Sequence, residues 1–162
     1  RVLKAYSDYL KQSTQKLPLL IADLKGDVID QILEEENIRE IKSYIHAPGY
    51  IANTDLAALY CGAFAFLYPS LRESFGIPML EAMACGTPII AGNTSAMPEI
   101  AGEGALLADP FNSNDITEKI LQLENDQTLY QQQVEYGIQR SQLFSWRNTA
   151  ESLLKIYKEF AK

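Results

Sequence analysis

Two glutamates bracket a turn whose backbone is unusually open. Glu73 lies in the loop Pro69-Ser70-Leu71-Arg72-Glu73-Ser74-Phe75-Gly76, and Glu81 follows eight positions later, inside a helix predicted to open at about Gly76. The first turn of such a helix leaves the N–H groups of Phe75, Gly76 and Ile77 without intrahelical acceptors, and its dipole adds roughly half a positive charge there. Gly76 has no side chain to hold an anion off the backbone, and Pro78 lacks an N–H that the first turn leaves unpaired anyway. This is a phosphate cradle without a Walker pattern. An ionised carboxylate only accepts hydrogen bonds, so neither glutamate suits a phosphate, whereas each suits a sugar diol that donates two. Gly76 and Glu81 stand five residues apart, about 7.5 Å along a helix axis at ~1.5 Å per residue, so the two carboxylates can line one elongated ligand. Sugar, phosphate and ribose in line describe a nucleotide sugar. The spacing alone equally allows Glu73 as a charge partner of the helix terminus and Glu81 as part of a solvated helix face.

The elements that must position this turn alternate. Residues 2–13 repeat apolar side chains at helical spacing, and 17–23 (LPLLIAD) form a continuous apolar run, the pattern of a strand buried on both faces. Helix 27–37, strand 41–47, helix 54–61, strand 63–69, helix 76–85, strand 87–92, a helical turn at 97–100 and strand 105–108 complete the alternation. After Pro110 only helices are expected, at 113–126, 128–143 and 145–161, with Ser145 as N-cap of the last. Strand and helix in turn mean βαβ units with right-handed crossovers, hence an α/β domain with a doubly wound parallel sheet and a helical C-terminal tail. In such sheets ligands sit at the carboxyl ends of strands, where the Glu73 loop falls. Trp146, Leu153, Ile156, Tyr157 and Phe160 give the terminal helix an apolar stripe, expected to pack in the core or against a neighbouring domain.

Composition bounds the partners. Across 162 residues, 14 Lys+Arg against 21 Asp+Glu give a net charge of −7, and no basic cluster is present, which disfavours nucleic acid and anionic membrane. The 47% hydrophobic and 22% charged content is that of a folded globular domain, and no run of about 18 apolar residues is present to span a bilayer. Cys61 and Cys85 sit in apolar contexts, LYCGAF and AMACGT, and read as small core residues. With His46 as the single histidine, no metal site is expected. The chain is read as one domain, 1–162, and as a fragment, because it enters directly on a helix.

The segment 73–110, ESFGIPMLEAMACGTPIIAGNTSAMPEIAGEGALLADP, resembles the signature of the family 4 retaining glycosyltransferases of the GT-B fold, whose motif is Glu, seven residues, Glu. GYI at 49–51, DLAALYCGAFAFLYPS at 55–70 and FSW at 144–146 also have counterparts there, so the resemblance covers almost the whole chain. It implies that Glu73 is the catalytic-site carboxylate facing the donor sugar. The backbone at Ser74, Phe75, Gly76 and Ile77 would meet the sugar and diphosphate, Glu81 would hold the ribose, and Gly49, Tyr50 and Ile51 would contact the base. It implies metal-independent transfer with retention, no cofactor, and a donor of nucleotide diphosphate sugar type. LYCGAFAFLYPS and the TSAMPE turn are similar to mannosyltransferase-type members, which favours GDP-mannose over UDP-glucose. The acceptor, a polysaccharide or glycolipid, would be bound by an N-terminal domain that is absent here. A first strand and a loop with paired cations, also absent, would precede residue 1. Lys25 and Arg72 are the nearest cations, and neither is assigned a role. A cytoplasmic enzyme, at the inner face of the plasma membrane when complete, is the expected location. Competing classes are a non-catalytic nucleotide-binding module of receiver or flavodoxin type and an interaction scaffold built on the terminal helix.

Overall fold

The computed structural model describes residues 1–161. Five strands and eight α-helices follow the expected order: α1 (Val2–Gln12), β1 (Leu19–Ala22), α2 (Gly26–Glu35), β2 (Ile45–Gly49), α3 (Asn53–Gly62), β3 (Phe66–Tyr68), α4 (Ile77–Ala84), β4 (Ile89–Gly92), α5 (Met97–Ala101), β5 (Leu106–Ala108), α6 (Ser113–Asn125), α7 (Gln127–Ser141) and α8 (Trp146–Phe160). All strand pairs are parallel. They form two sheets, β1-β2 and β3-β4-β5, where one was expected. One edge of β1 and one edge of β3 therefore have no strand beside them among the described residues.

Side-chain alternation sorts the layers. Ile90 of β4 points into a cluster with Tyr6, Tyr9 and Leu10 of α1, Ile29 and Leu33 of α2, and Ile116, Ile120 and Leu123 of α6; Leu19, Ile21, Ile45, Ala47 and Leu67 pack against it. Ile89 and Ala91 point the other way, onto Met79, Ala82 and Met83 of α4 and Met97 and Ile100 of α5. The first layer spans both sheets, whereas the second covers only β3-β4-β5. This difference corrects the reading of 17–23. β1 is buried on one face only, with Leu20 and Ala22 exposed, because no helix packs over that side of it. β4, with helices on both sides, is fully buried along its length.

A second correction falls on 41–47. Residues Arg39–Tyr44 form a 3-10 helix, and the strand starts at Ile45. Ile38, Ile41 and Tyr44 recur every three residues, the 3-10 period, and Ile38 and Ile41 are buried in the first layer. The tail is helical as expected, and Ser145 caps α8 by accepting the Asn148 amide at 3.0 Å. Its stripe does not reach the core. No residue of α8 is buried, and Trp146 is 82% exposed. Cys61 is exposed and Cys85 half-buried, so neither is a core residue; both stand at the C-terminal ends of helices, α3 and α4, which leave the second layer there.

Candidate functional site

β3 delivers the chain to the Glu73 loop, and three neighbours fix that loop. The Tyr68 hydroxyl, at the end of β3, donates to Glu73 Oε1 at 2.7 Å, and the Ser70 hydroxyl donates to the same oxygen at 3.0 Å. Ser95, in the turn after β4, accepts the Glu73 amide at 3.2 Å and donates to the Glu73 carbonyl at 2.6 Å. Both side-chain bonds use Oε1, so Glu73 Oε2 accepts none among the described residues. The carboxylate is half-buried, oriented by one oxygen, and has the other available. Burial, with the Glu73 carboxylate as hydrogen-bond partner and nearby charge, pushes the Tyr68 hydroxyl far above its ordinary value, so it remains a donor.

α4 opens where the sequence implies. Gly76 is the N-cap of α4 at φ +96°, a left-handed conformation that favours glycine, and Ile77 and Pro78 open the helix. Met79 N–H bonds the Gly76 carbonyl at 3.1 Å, whereas the amides of Ser74, Phe75, Gly76 and Ile77 donate to no partner among the described residues. Phe75 stands edge-on to Phe144 with ring centroids 5.8 Å apart, and Arg140 lies over Phe144. This stack ties the loop to the end of α7.

The remaining predicted residues divide. Glu81 lies on α4 with an exposed side chain; its charge acts on Tyr60 and on Cys85, and no protein donor holds it among the described residues. Gly49 ends β2, buried and at φ +84°, and Tyr50 beyond it is 78% exposed; Ile51 is half-buried ahead of α3. Lys25 bridges Pro48, which brings its backbone beside the Gly49 loop, while Arg72 is exposed. His46 lies within β2, exposed on the uncovered face. Sequence reading missed Tyr68, Ser70 and Ser95 as partners of Glu73, and Gly92 as the residue that admits the loop. A Cβ on Gly92 would stand 2.6 Å from the Ser70 carbonyl oxygen. The signal available was a glycine ending β4 beside Asn93-Thr94-Ser95. Among the described residues no three His, Cys, Asp or Glu side chains come together as a metal site would need.

Residues 1–140 match the model for glycosyl transferases group 1. The chain belongs to that family. It is 34% identical over 160 residues to the O-antigen chain mannosyltransferase B of Escherichia coli, covering 97% of this chain and 41% of that protein. It is 30% identical over 151 residues to a serotype-specific mannosyltransferase WbdA of the same species, covering 92% of this chain and 18% of the relative. The chain thus spans less than half the length of either. Among solved structures, the C-terminal domain of a glycosyl transferase group 1 family protein (LpcC) from Francisella tularensis superposes with a TM-score of 0.72 at 26% identity, over 87% of this chain and 75% of that one. Anabaena Alr3699/HepE in complex with UDP superposes with a TM-score of 0.82 at 19% identity, over 96% of this chain and 44% of that one. The fold of this group 1 chain is the doubly wound, Rossmann-like α/β half of the GT-B glycosyltransferases. No helix among its described residues is long and apolar enough to cross a membrane.

Proposed function

We propose that this chain is the donor-binding domain of a family 4, retaining glycosyltransferase that moves a hexose, best assigned as mannose from GDP-mannose, to a polysaccharide or glycolipid acceptor. The observation that carries the reading is Glu73, held through Oε1 with Oε2 available, beside four amides without partners at the start of α4. Oε2 accepts from donor-sugar hydroxyls, the amides and dipole of α4 bind the diphosphate, and Glu81 accepts from the ribose diol. Gly49, Tyr50 and Ile51 meet the base. In the transfer step the bond between the anomeric carbon and the diphosphate oxygen breaks, and the acceptor oxygen bonds the same face. The acceptor's proton passes to the leaving diphosphate. The α4 amides stabilise the charge that develops there, without a metal ion. The names of the two mannosyltransferase relatives support the sugar, and the UDP in complex with Anabaena Alr3699/HepE supports a nucleotide diphosphate at this fold.

Chain beyond these residues completes the site in this reading. The unpaired edges of β1 and β3, whose side chains share one apolar layer, receive a further parallel strand, and a separate domain binds the acceptor. The test is calorimetric titration of the protein extended at its N-terminus with GDP, UDP, ADP, GDP-mannose and UDP-glucose, metal-free. GDP and GDP-mannose are expected to bind, and Glu81→Ala to weaken both roughly 10- to 150-fold, about 1.5–3 kcal/mol for charge-assisted bonds to a diol. Binding of none of them, or binding indifferent to Glu81, overturns the assignment.

A further inference from the structure

Cys61 and Cys85 stand at the C-terminal ends of α3 and α4, which two hydrogen bonds tie together. The Cys85 sulfur lies 3.8 Å from the Ala57 carbonyl oxygen, and Ala57 stands one helical turn before Cys61 on the same face of α3. Two residues after Cys85, the buried Thr87 hydroxyl donates to the Tyr60 carbonyl at 2.5 Å, one residue before Cys61. Two bonds from one turn of chain therefore land on the second half of α3, within the turn that precedes its cysteine. Cys61 is exposed and Cys85 half-buried, so the first thiol is the more open to solvent. No third soft ligand joins them among the described residues, which leaves the pair short of a structural metal site.

We propose that Cys61 and Cys85 are a disulfide-forming pair, closed by a hydroperoxide into an intramolecular bridge between the C-terminal turns of α3 and α4. The exposed Cys61 sulfur attacks the terminal peroxide oxygen. The O–O bond breaks, the alcohol or water leaves with the thiol's proton, and Cys61 becomes a sulfenic acid. The Cys85 sulfur then attacks the Cys61 sulfur, forming S–S and breaking S–O, and hydroxide leaves as water with the Cys85 proton. The two thiols supply the two electrons that reduce the peroxide. Burial, the Cys61 thiol and the Glu81 carboxylate push the Cys85 thiol up, which suits it to the second, resolving position rather than the first. This assignment is independent of any donor bound at Glu73.

The intact protein is treated with hydrogen peroxide, its remaining thiols are blocked, and its peptides are mapped by mass spectrometry. The expected product is a linked pair of peptides carrying Cys61 and Cys85, lighter by two hydrogens, within a single chain and reversed by dithiothreitol. Cys85→Ser is expected to stop at a Cys61 sulfenic acid that dimedone traps. Sulfinic acid on Cys61 with Cys85 still free in the wild-type chain overturns the proposal. So does a bridge between two chains, or two untouched thiols where free cysteine oxidises.

Discussion

Replacing Gly92 by alanine presses directly on the support of the Glu73 loop. The added Cβ stands 2.6 Å from the Ser70 carbonyl oxygen and 3.3 Å from Met97 Cε. The methionine end can swing aside; the backbone oxygen cannot. Carbon and oxygen rest no closer than about 3.3 Å even in a favourable contact, so the overlap is about 0.7 Å and either β4 or the Ser70 turn must move. Overpacking of this kind costs about 1–3 kcal/mol, offset by about 0.4–1 kcal/mol from the stiffer unfolded chain, because Gly92 does not sit at positive φ. The net expectation is a loss of about 0–2.6 kcal/mol in urea unfolding, centred at about 1.3 kcal/mol. With a slope of about 2 kcal/mol/M, a loss in the middle of that range moves the midpoint down by about 0.7 M. Gly26→Ala is the control: nothing lies within 4 Å of its Cβ, at the first residue of α2, so it should be neutral or stabilising. Because the Ser70 hydroxyl orients Glu73, Gly92→Ala should also weaken donor-sugar binding more than it weakens binding of the bare nucleotide. A Gly92→Ala protein as stable as the wild type would refute the packing argument, and an unchanged sugar-to-nucleotide ratio would refute its link to Glu73.

Two further outcomes follow from burial and its absence. The Tyr6 hydroxyl donates to the Leu17 carbonyl at 2.8 Å, and burial above all, with Tyr9 beside it, pushes its pKa up to about 12. The folded state keeps a proton that the unfolded state loses near pH 10, so this contribution is complete below pH 10 and is lost as pH rises through about 12. The loss is about 2–3 kcal/mol. Tyr6→Phe should remove that part of the decline in denaturant titrations between about pH 10 and 12, at a fixed cost of about 1–3 kcal/mol at neutral pH from the lost hydroxyl proton shared by the Leu17 and Tyr44 carbonyls. Ending the chain after Phe144 should change stability by less than about 1 kcal/mol, because α8 buries no residue; a loss above ~2 kcal/mol would mean that its stripe covers the domain in solution.

What the sequence disclosed followed from local rules. The Glu73 loop, the Gly76 N-cap and the alternation through residue 108 rest on turn chemistry and apolar period, which neighbours in the chain decide. Most of the differences are non-local. LPLLIAD reads as buried on both faces, yet only one face of β1 meets helices, and nothing within residues 17–23 encodes which layer stops short of it. The stripe of α8 is a true amphipathic pattern whose apolar side lies open. At 41–44, the exception, a local period of three reads as the start of a strand, where the chain is still in its 3-10 helix. Ser95 lies 22 residues from Glu73 and joins it only through the β3-β4 pairing, so its role was invisible until the register was known, whereas Tyr68 and Ser70 lie five and three residues away and need only the loop to curl back on the end of β3.

The uneven sheet also divides the candidate donor site into parts of different stiffness. Glu73 and the α4 cradle stand on β3-β4-β5, covered on both faces, and three hydroxyls fix the loop further. Gly49, Tyr50 and Ile51 stand at the end of β2, in a sheet covered on one face, with Tyr50 almost wholly in solvent. Bond-making geometry tolerates little displacement, whereas recognition of a base by stacking and backbone contacts tolerates more. In the proposed function the rigid half carries the residues whose position the transfer would depend on. The loosely covered half carries those that a bound nucleotide, and a strand seated between β1 and β3, would settle.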